Sequence, residues 1–202
     1  MSRGEVLQRA WHDLTDAQRR HLMRTLASYV HQLRTVPQSA VAGLLCSGWI
    51  GSATRGPFWD FFAECVGGPL GPFPAQGSFN DWRVSLFDKF GQRHAPAAAY
   101  LAQIRREMPD AHPLVFTHAD IAMRNVLVRV HGPCAGDVEE AGSIDLGQAG
   151  WHPIYWEGLK FAWAKNSKHI WQASGRQVLC TGYDAEFQRE FDLQLVAGGI
   201  PP

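Results

Sequence analysis

No C-x-x-C pair occurs among the four cysteines, Cys46, Cys65, Cys134 and Cys180, so neither a zinc site nor a dithiol redox motif is indicated. Buried, reduced thiols are the simpler reading, and they suit a cytoplasmic protein. No apolar run reaches the length of a membrane span. Met1-Ser2-Arg3-Gly4-Glu5 lacks the apolar stretch of a secretory signal. Charge of one sign is not in excess, because Lys plus Arg number 19 and Asp plus Glu number 19. With no basic stripe carrying interleaved aromatics, that balance argues against nucleic acid or an anionic membrane as a partner. Internal repeats and low-complexity tracts are also missing. The expectation is a soluble, cytoplasmic protein.

What is present is a globular composition. Hydrophobic residues make up 46% and charged residues 19% of 202 positions, enough for one domain with a sizeable core. Eight Trp and eleven Phe imply a core of large rings and an aromatic-lined pocket.

The strongest periodic segment runs from about Thr15 to Arg34. Thr15 and Gln18 have capping-box spacing, and Leu22, Leu26, Tyr29, Val30 and Leu33 recur at helical intervals before Pro37 closes the segment. Residues 37–78 are rich in Gly, Pro and Ser and read as a long irregular insertion, whose Trp49, Phe58, Trp59, Phe61 and Phe62 must pack onto something. Helices are expected at about Phe79–Phe90, Pro96–Met108, Ile154–Lys165 and Asp184–Val196, with 197–202 a frayed tail. Between them the period changes. Asn125–Val130 is β-branched and strand-like, His131–Gly142 reads as a turn or loop, and Gly142–Leu146 as a second short strand. The fold class expected is α+β, mostly α-helical, with one small antiparallel β-hairpin.

The ends of that hairpin carry the chemistry. His118, Asp120 and Asn125 lie in the loop entering its first strand, and Asp145 lies at the exit of its second. Antiparallel pairing brings Asn125 and Asp145 to the same end. Two carboxylates and an amide carbonyl are hard oxygen donors that suit Mg²⁺. The spacing is H-x-D-x-x-x-x-N followed by a metal-binding Asp, as phosphoryl transfer requires: one carboxylate for the attacking hydroxyl, and two ligands for the cation that neutralises phosphate oxygens.

Several segments together resemble the aminoglycoside phosphotransferase family, in particular its fungal members. They are Phe116–Asp120, Arg124–Val128, Ile144-Asp145 and Ala149–Glu157, with Leu7, Trp11, Gln32-Leu33-Arg34, Gly71-Pro72-Phe73-Pro74 and Phe79-Asn80-Asp81-Trp82 upstream. The resemblance implies that Asp120 is the catalytic base and that Asn125 and Asp145 bind Mg²⁺ and, through it, the cofactor ATP. It implies that His118 braces the loop around Asp145, and that Trp156 and Glu157 support the metal loop or line the acceptor pocket. It also implies a small-molecule substrate bearing a hydroxyl. The sequence departs from the family pattern at Ala119, where Gly is usual, at Ile121-Ala122-Met123, and at Leu146, where Trp is common.

A larger departure concerns the nucleotide-gripping lobe. No G-x-G-x-x-G precedes Thr15, and Lys89, Lys160, Lys165 and Lys168 all lie downstream of where a phosphate-binding Lys belongs. Residues 1–202 therefore read as a protein-kinase-like C-lobe with the N-lobe absent. Three functions follow: an ATP-dependent phosphotransferase; a non-kinase enzyme of secondary metabolism in which Asp120 or His118 does acid–base work; and a pseudokinase or interaction module that self-associates through the face an N-lobe would cover.

Other residues take simpler readings. His112 and His152 read as surface or turn residues, Trp151, Trp156 and Trp163 as core, and Glu139-Glu140 with Asp137 as a solvated hairpin tip. The pairs Arg19-Arg20 and Arg105-Arg106 read as exposed helix faces.

Overall fold

A capping box opens the longest helix. In the computed structural model, which describes residues 4–40, 48–60, 71–91, 95–163, 170–179 and 181–196, the Thr15 hydroxyl accepts from the Gln18 backbone N–H, and the Gln18 side chain accepts from Thr15 N–H at 2.9 Å. These bonds satisfy donors that a helix start leaves open. The helix spans Asp16–Arg34 and buries Leu22, Met23, Leu26 and Val30 on one face. It is preceded by a two-residue strand, Glu5–Val6 (β1), and a short helix, Leu7–Ala10 (α1), so the long helix is α2. Arg19 is no free surface cation, since its guanidinium lies over the Trp11 ring and donates to Trp11 O.

Within 37–78 the described residues include a 3₁₀ turn at Gln38–Ala40, the strand Gly51–Ser52 (β2) and an antiparallel bridge between Ile50 and Phe73. The next helix, α3, starts at Gln76 and reaches Gly91, so it begins three residues ahead of the apolar stripe that marked it. The segments 61–70 and 197–202 lie outside the described residues, as does the expected tail. Helix α4 covers Ala95–Glu107. Arg105, expected on an open face, instead ties α4 to Asp81 and Asp110 at 2.5 and 2.9 Å.

The described residues form two small antiparallel sheets in a mixed α+β architecture. In the first, the order is β1, β4 (Val126–Val130), β5 (Val138–Ser143). In the second, it is β2, β6 (Gly150–Pro153), β3 (Leu114–Thr117). Strand β5 begins four residues earlier than the sequence pattern suggested and ends at Ser143, so Ile144-Asp145-Leu146 follow the strand rather than forming it. The polar residues there are in register with β4: Arg129 faces Glu139 and bonds it at 2.9 Å. Alternation then turns Val138 and Glu140 to the buried face and leaves Glu139 exposed, so Glu140 alone departs from the expected solvated tip. Among the described residues three α-helices follow: Trp156–Trp163 (α5), Ile170–Leu179 (α6) and Asp184–Val196 (α7).

Two apolar clusters result. One joins α1 and α2 to Val126, Val128 and Val138, and to Phe161, Trp171 and Leu179. The other gathers Ile50, Phe58, Phe79, Phe87, Leu101, Ile104, Trp156, Leu159 and Leu193. The rings pack on one another here, as in the edge-on contact of Phe79 with Trp156 at 5.2 Å. The loop from His118 to Asn125 is held between the clusters, because Ile121 belongs to the first and Ala119 to the second. Burying Ile121 contributes roughly 1.5–3 kcal/mol, so the first half of the loop is anchored. Among the described residues no helix is long and apolar enough to cross a membrane.

Candidate functional site

The loop leaves β3 at Thr117 and enters β4 at Val126. Its first turn is unusual: Ala119 stands at φ 61°, a left-handed conformation that costs an L-residue roughly 1–2 kcal/mol. What holds it there is Glu157, in the first turn of α5. One carboxylate oxygen accepts the His118 N–H at 2.6 Å and the other the Ala119 N–H at 3.0 Å. Glu157 is fully buried, and burial raises its pKa to about 7 against the opposing pull of the two N–H groups, Arg34 and Lys160.

His118 is buried as well, which holds its pKa below the usual imidazole value. The neutral ring is engaged at both nitrogens. Nε2 faces the Ile144 carbonyl at 3.1 Å, and Nδ1 accepts the Asp120 N–H at 3.3 Å. A single tautomer, with the proton on Nε2, satisfies both contacts. His118 thus links the Asp120 backbone to the residue immediately before Asp145.

The side chains of Asp120 and Asn125 meet directly. Asn125 Nδ2 donates to Asp120 Oδ2 at 2.8 Å and to the Asp120 carbonyl at 2.9 Å. The Asn125 backbone carbonyl accepts the Ile144 N–H at 2.9 Å, which fixes the hairpin exit beside the loop. One partner lay hidden in the variable positions of the motif: Arg124 Nη2 donates to both Asp120 oxygens at 2.7 Å. Its separation of four residues from Asp120 is the signal that could have found it, since a short 3₁₀ turn over Met123–Asn125 brings it back.

Asp145 is exposed and left-handed, at φ 66° and ψ 67°. Its carboxylate has no ion-pair or hydrogen-bond partner among the described residues. It lies close enough to the loop, with Asp120, for its charge to act on His118. The donor chemistry fits a hard divalent cation. Because the Asn125 amide nitrogen is committed to Asp120, its carbonyl oxygen Oδ1 is the end left over, and no described group donates to it. An amide oxygen and an unpaired carboxylate on adjoining backbone are the ligand types that Mg²⁺ takes, with water completing the shell.

His152, read from sequence as a surface residue, is wholly buried in β6. It contacts the Thr117 hydroxyl at 2.8 Å, stacks on Trp156, and is held neutral with a pKa of about 3 by burial. It supports the loop from below and does not approach Asp120 through any described contact. His112 is partly buried too, between Gln76 at 2.9 Å and Glu186 at 3.2 Å.

Among known families, the model of the phosphotransferase enzyme family, APH, matches the chain over residues 3–192. No curated protein matches the chain.

Proposed function

The chain belongs to the phosphotransferase enzyme family, and from that premise we propose that it transfers the γ-phosphoryl group of ATP to a hydroxyl of a small molecule, with Asp120 as base and Asn125 and Asp145 as ligands of Mg²⁺. The described residues then correspond to the C-lobe of a kinase-like fold. The single observation that carries the reading is the 2.8 Å bond from the Asn125 amide to the Asp120 carboxylate. It orients the base and the amide oxygen together, beside the backbone that leads to Asp145.

The division of labour follows from lone pairs. A carboxylate has about four acceptor sites. Asp120 Oδ2 takes both Arg124 and Asn125, whereas Oδ1 takes Arg124 alone. Oδ1 therefore keeps an acceptor site for the incoming hydroxyl. As the acceptor oxygen bonds to the γ-phosphorus, its proton passes to Oδ1, the bond from that phosphorus to the β–γ bridging oxygen breaks, and the electron pair leaves on ADP. When bound, Mg²⁺ supplies positive charge to the phosphate oxygens. Glu157 and His118 do no proton transfer in this scheme. They hold the loop in the one conformation that presents Oδ1.

The test is Mg²⁺-dependent ATP consumption against a panel of hydroxylated metabolites. Asp120→Asn, which keeps the shape and one oxygen able to accept from Arg124 and Asn125, is expected to reduce turnover by at least about a hundredfold. Turnover left intact in Asp120→Asn removes the assignment.

A further inference from the structure

Between α2 and β5 lies a cavity of about 490 Å³, within the range that holds small molecules. Leu26, Val30 and Leu33 of α2, with Val36 just beyond its C-terminus, form one wall, and Ile121 of the loop contributes to another. One acidic side chain, Glu140, also faces it. Glu140 is 9% exposed. The Ser143 hydroxyl reaches its Oε1 at 3.1 Å, and no described group donates to Oε2. Among the described residues no Lys or Arg lines the cavity, and His118, which does, is held toward its neutral form by burial.

This is a costly arrangement for the protein alone. A carboxylate taken out of water is stable only with a cation or several donors beside it. Burial accordingly pushes the Glu140 carboxyl up to about 7. Val138, two residues earlier on the same face, is apolar and buried, so Glu140 is a charged side chain on an otherwise inward-facing position of β5. A neutral or anionic ligand would leave the cost in place, whereas a cationic one removes it.

We propose that this cavity is a binding site for a small amphiphilic amine, with its ammonium group on Glu140 and its apolar body against Leu26, Val30 and Leu33 of α2 and Val36 beyond the helix end. The ammonium donates to Oε2, the oxygen without a partner. The hydrocarbon part replaces water along the leucine and valine side chains, at roughly 25 cal/mol per Å² of apolar surface covered.

Two probes separate charge from shape: 4-phenylbutylamine and 4-phenylbutan-1-ol. Binding of each to the purified chain is measured by calorimetry at about pH 8, where the amine is protonated. The amine is expected to bind about tenfold tighter than the alcohol or better, the scale of a hydrogen bond to a charged group. Glu140→Gln keeps the shape of the site and is expected to bring the amine down to the level of the alcohol. Leu33→Trp, which fills the cavity, is expected to abolish binding of both. Asp120→Asn is expected to leave amine binding unchanged, so this site and the phosphotransfer reading fail separately. Equal binding of the two probes, absence of amine binding, a preference that survives Glu140→Gln, or amine binding untouched by Leu33→Trp overturns the proposal.

Discussion

Glu157 holds Ala119 in a left-handed conformation by accepting its N–H at 3.0 Å, while the second carboxylate oxygen takes the N–H of His118. A residue on α5 therefore sets the backbone of the loop that carries Asp120 and Asn125. The consequence is that the site's shape depends on a buried carboxylate that makes no contact with Asp120 itself among the described bonds.

Removing that carboxylate leaves two buried N–H groups without acceptors. Glu157→Ala is expected to cost roughly 2–5 kcal/mol, read as a lowered urea midpoint at unchanged slope. Glu157→Gln turns one acceptor into a donor that faces an N–H, and a smaller loss of about 1–3 kcal/mol is expected.

Arg124 is half exposed, and its ion pair with Asp120 is worth little to the fold. Arg124→Ala is expected to change stability by less than about 1 kcal/mol. Turnover, by contrast, is expected to fall about tenfold or more, because the carboxylate loses the donor that spans both oxygens and orients Oδ1. Paired measurements of thermal midpoint and kcat check the separation.

Glu140 gives a pH dependence with a definite sign. Its folded pKa is raised from 4.5 to about 7, so the folded state holds an extra proton between those values. That contribution to stability is fully present below about pH 4.5 and is lost as pH rises through about 7. Glu140→Gln carries no such loss. The variant is expected to be more stable than the parent above pH 7, by on the order of 1–2 kcal/mol, and to lose the advantage near pH 4.5. Glu157, raised to about 7, acts with the same sign, and His152, lowered to about 3, with the opposite one. Both remain in parent and variant, so denaturation curves taken across pH isolate Glu140 by difference.

Much of the helical framework is legible in the chain because its signals are local. Thr15 and Gln18 carry both halves of a capping box, and the apolar spacing from Leu22 to Val30 names the buried face of α2. The two-residue strands β1 and β2 have no alternation to read. Each exists only through pairing with a strand some hundred residues away, Glu5 with Val128 and Gly51 with Trp151. Glu140 sits in a run of acidic residues that looks solvated until β5 alternation and an irregular register beside Val128 assign it inward. His152 misleads for a related reason, since it lies on the central strand of its sheet, a position that local polarity does not reveal. At the site, the sequence names Asp120, Asn125 and Asp145 but not the Arg124 pairing, which depends on how the loop closes over Met123–Asn125.

That Asn125 and Asp145 share one cation is tested most directly with Mn²⁺ as a spectroscopic stand-in for Mg²⁺, titrated into the chain in the presence of ATP and followed by electron paramagnetic resonance. One bound equivalent is expected, weakened at least about tenfold in both Asp145→Ala and Asn125→Ala and displaced by excess Mg²⁺. Mn²⁺ binding that is unchanged in both variants contradicts the shared site.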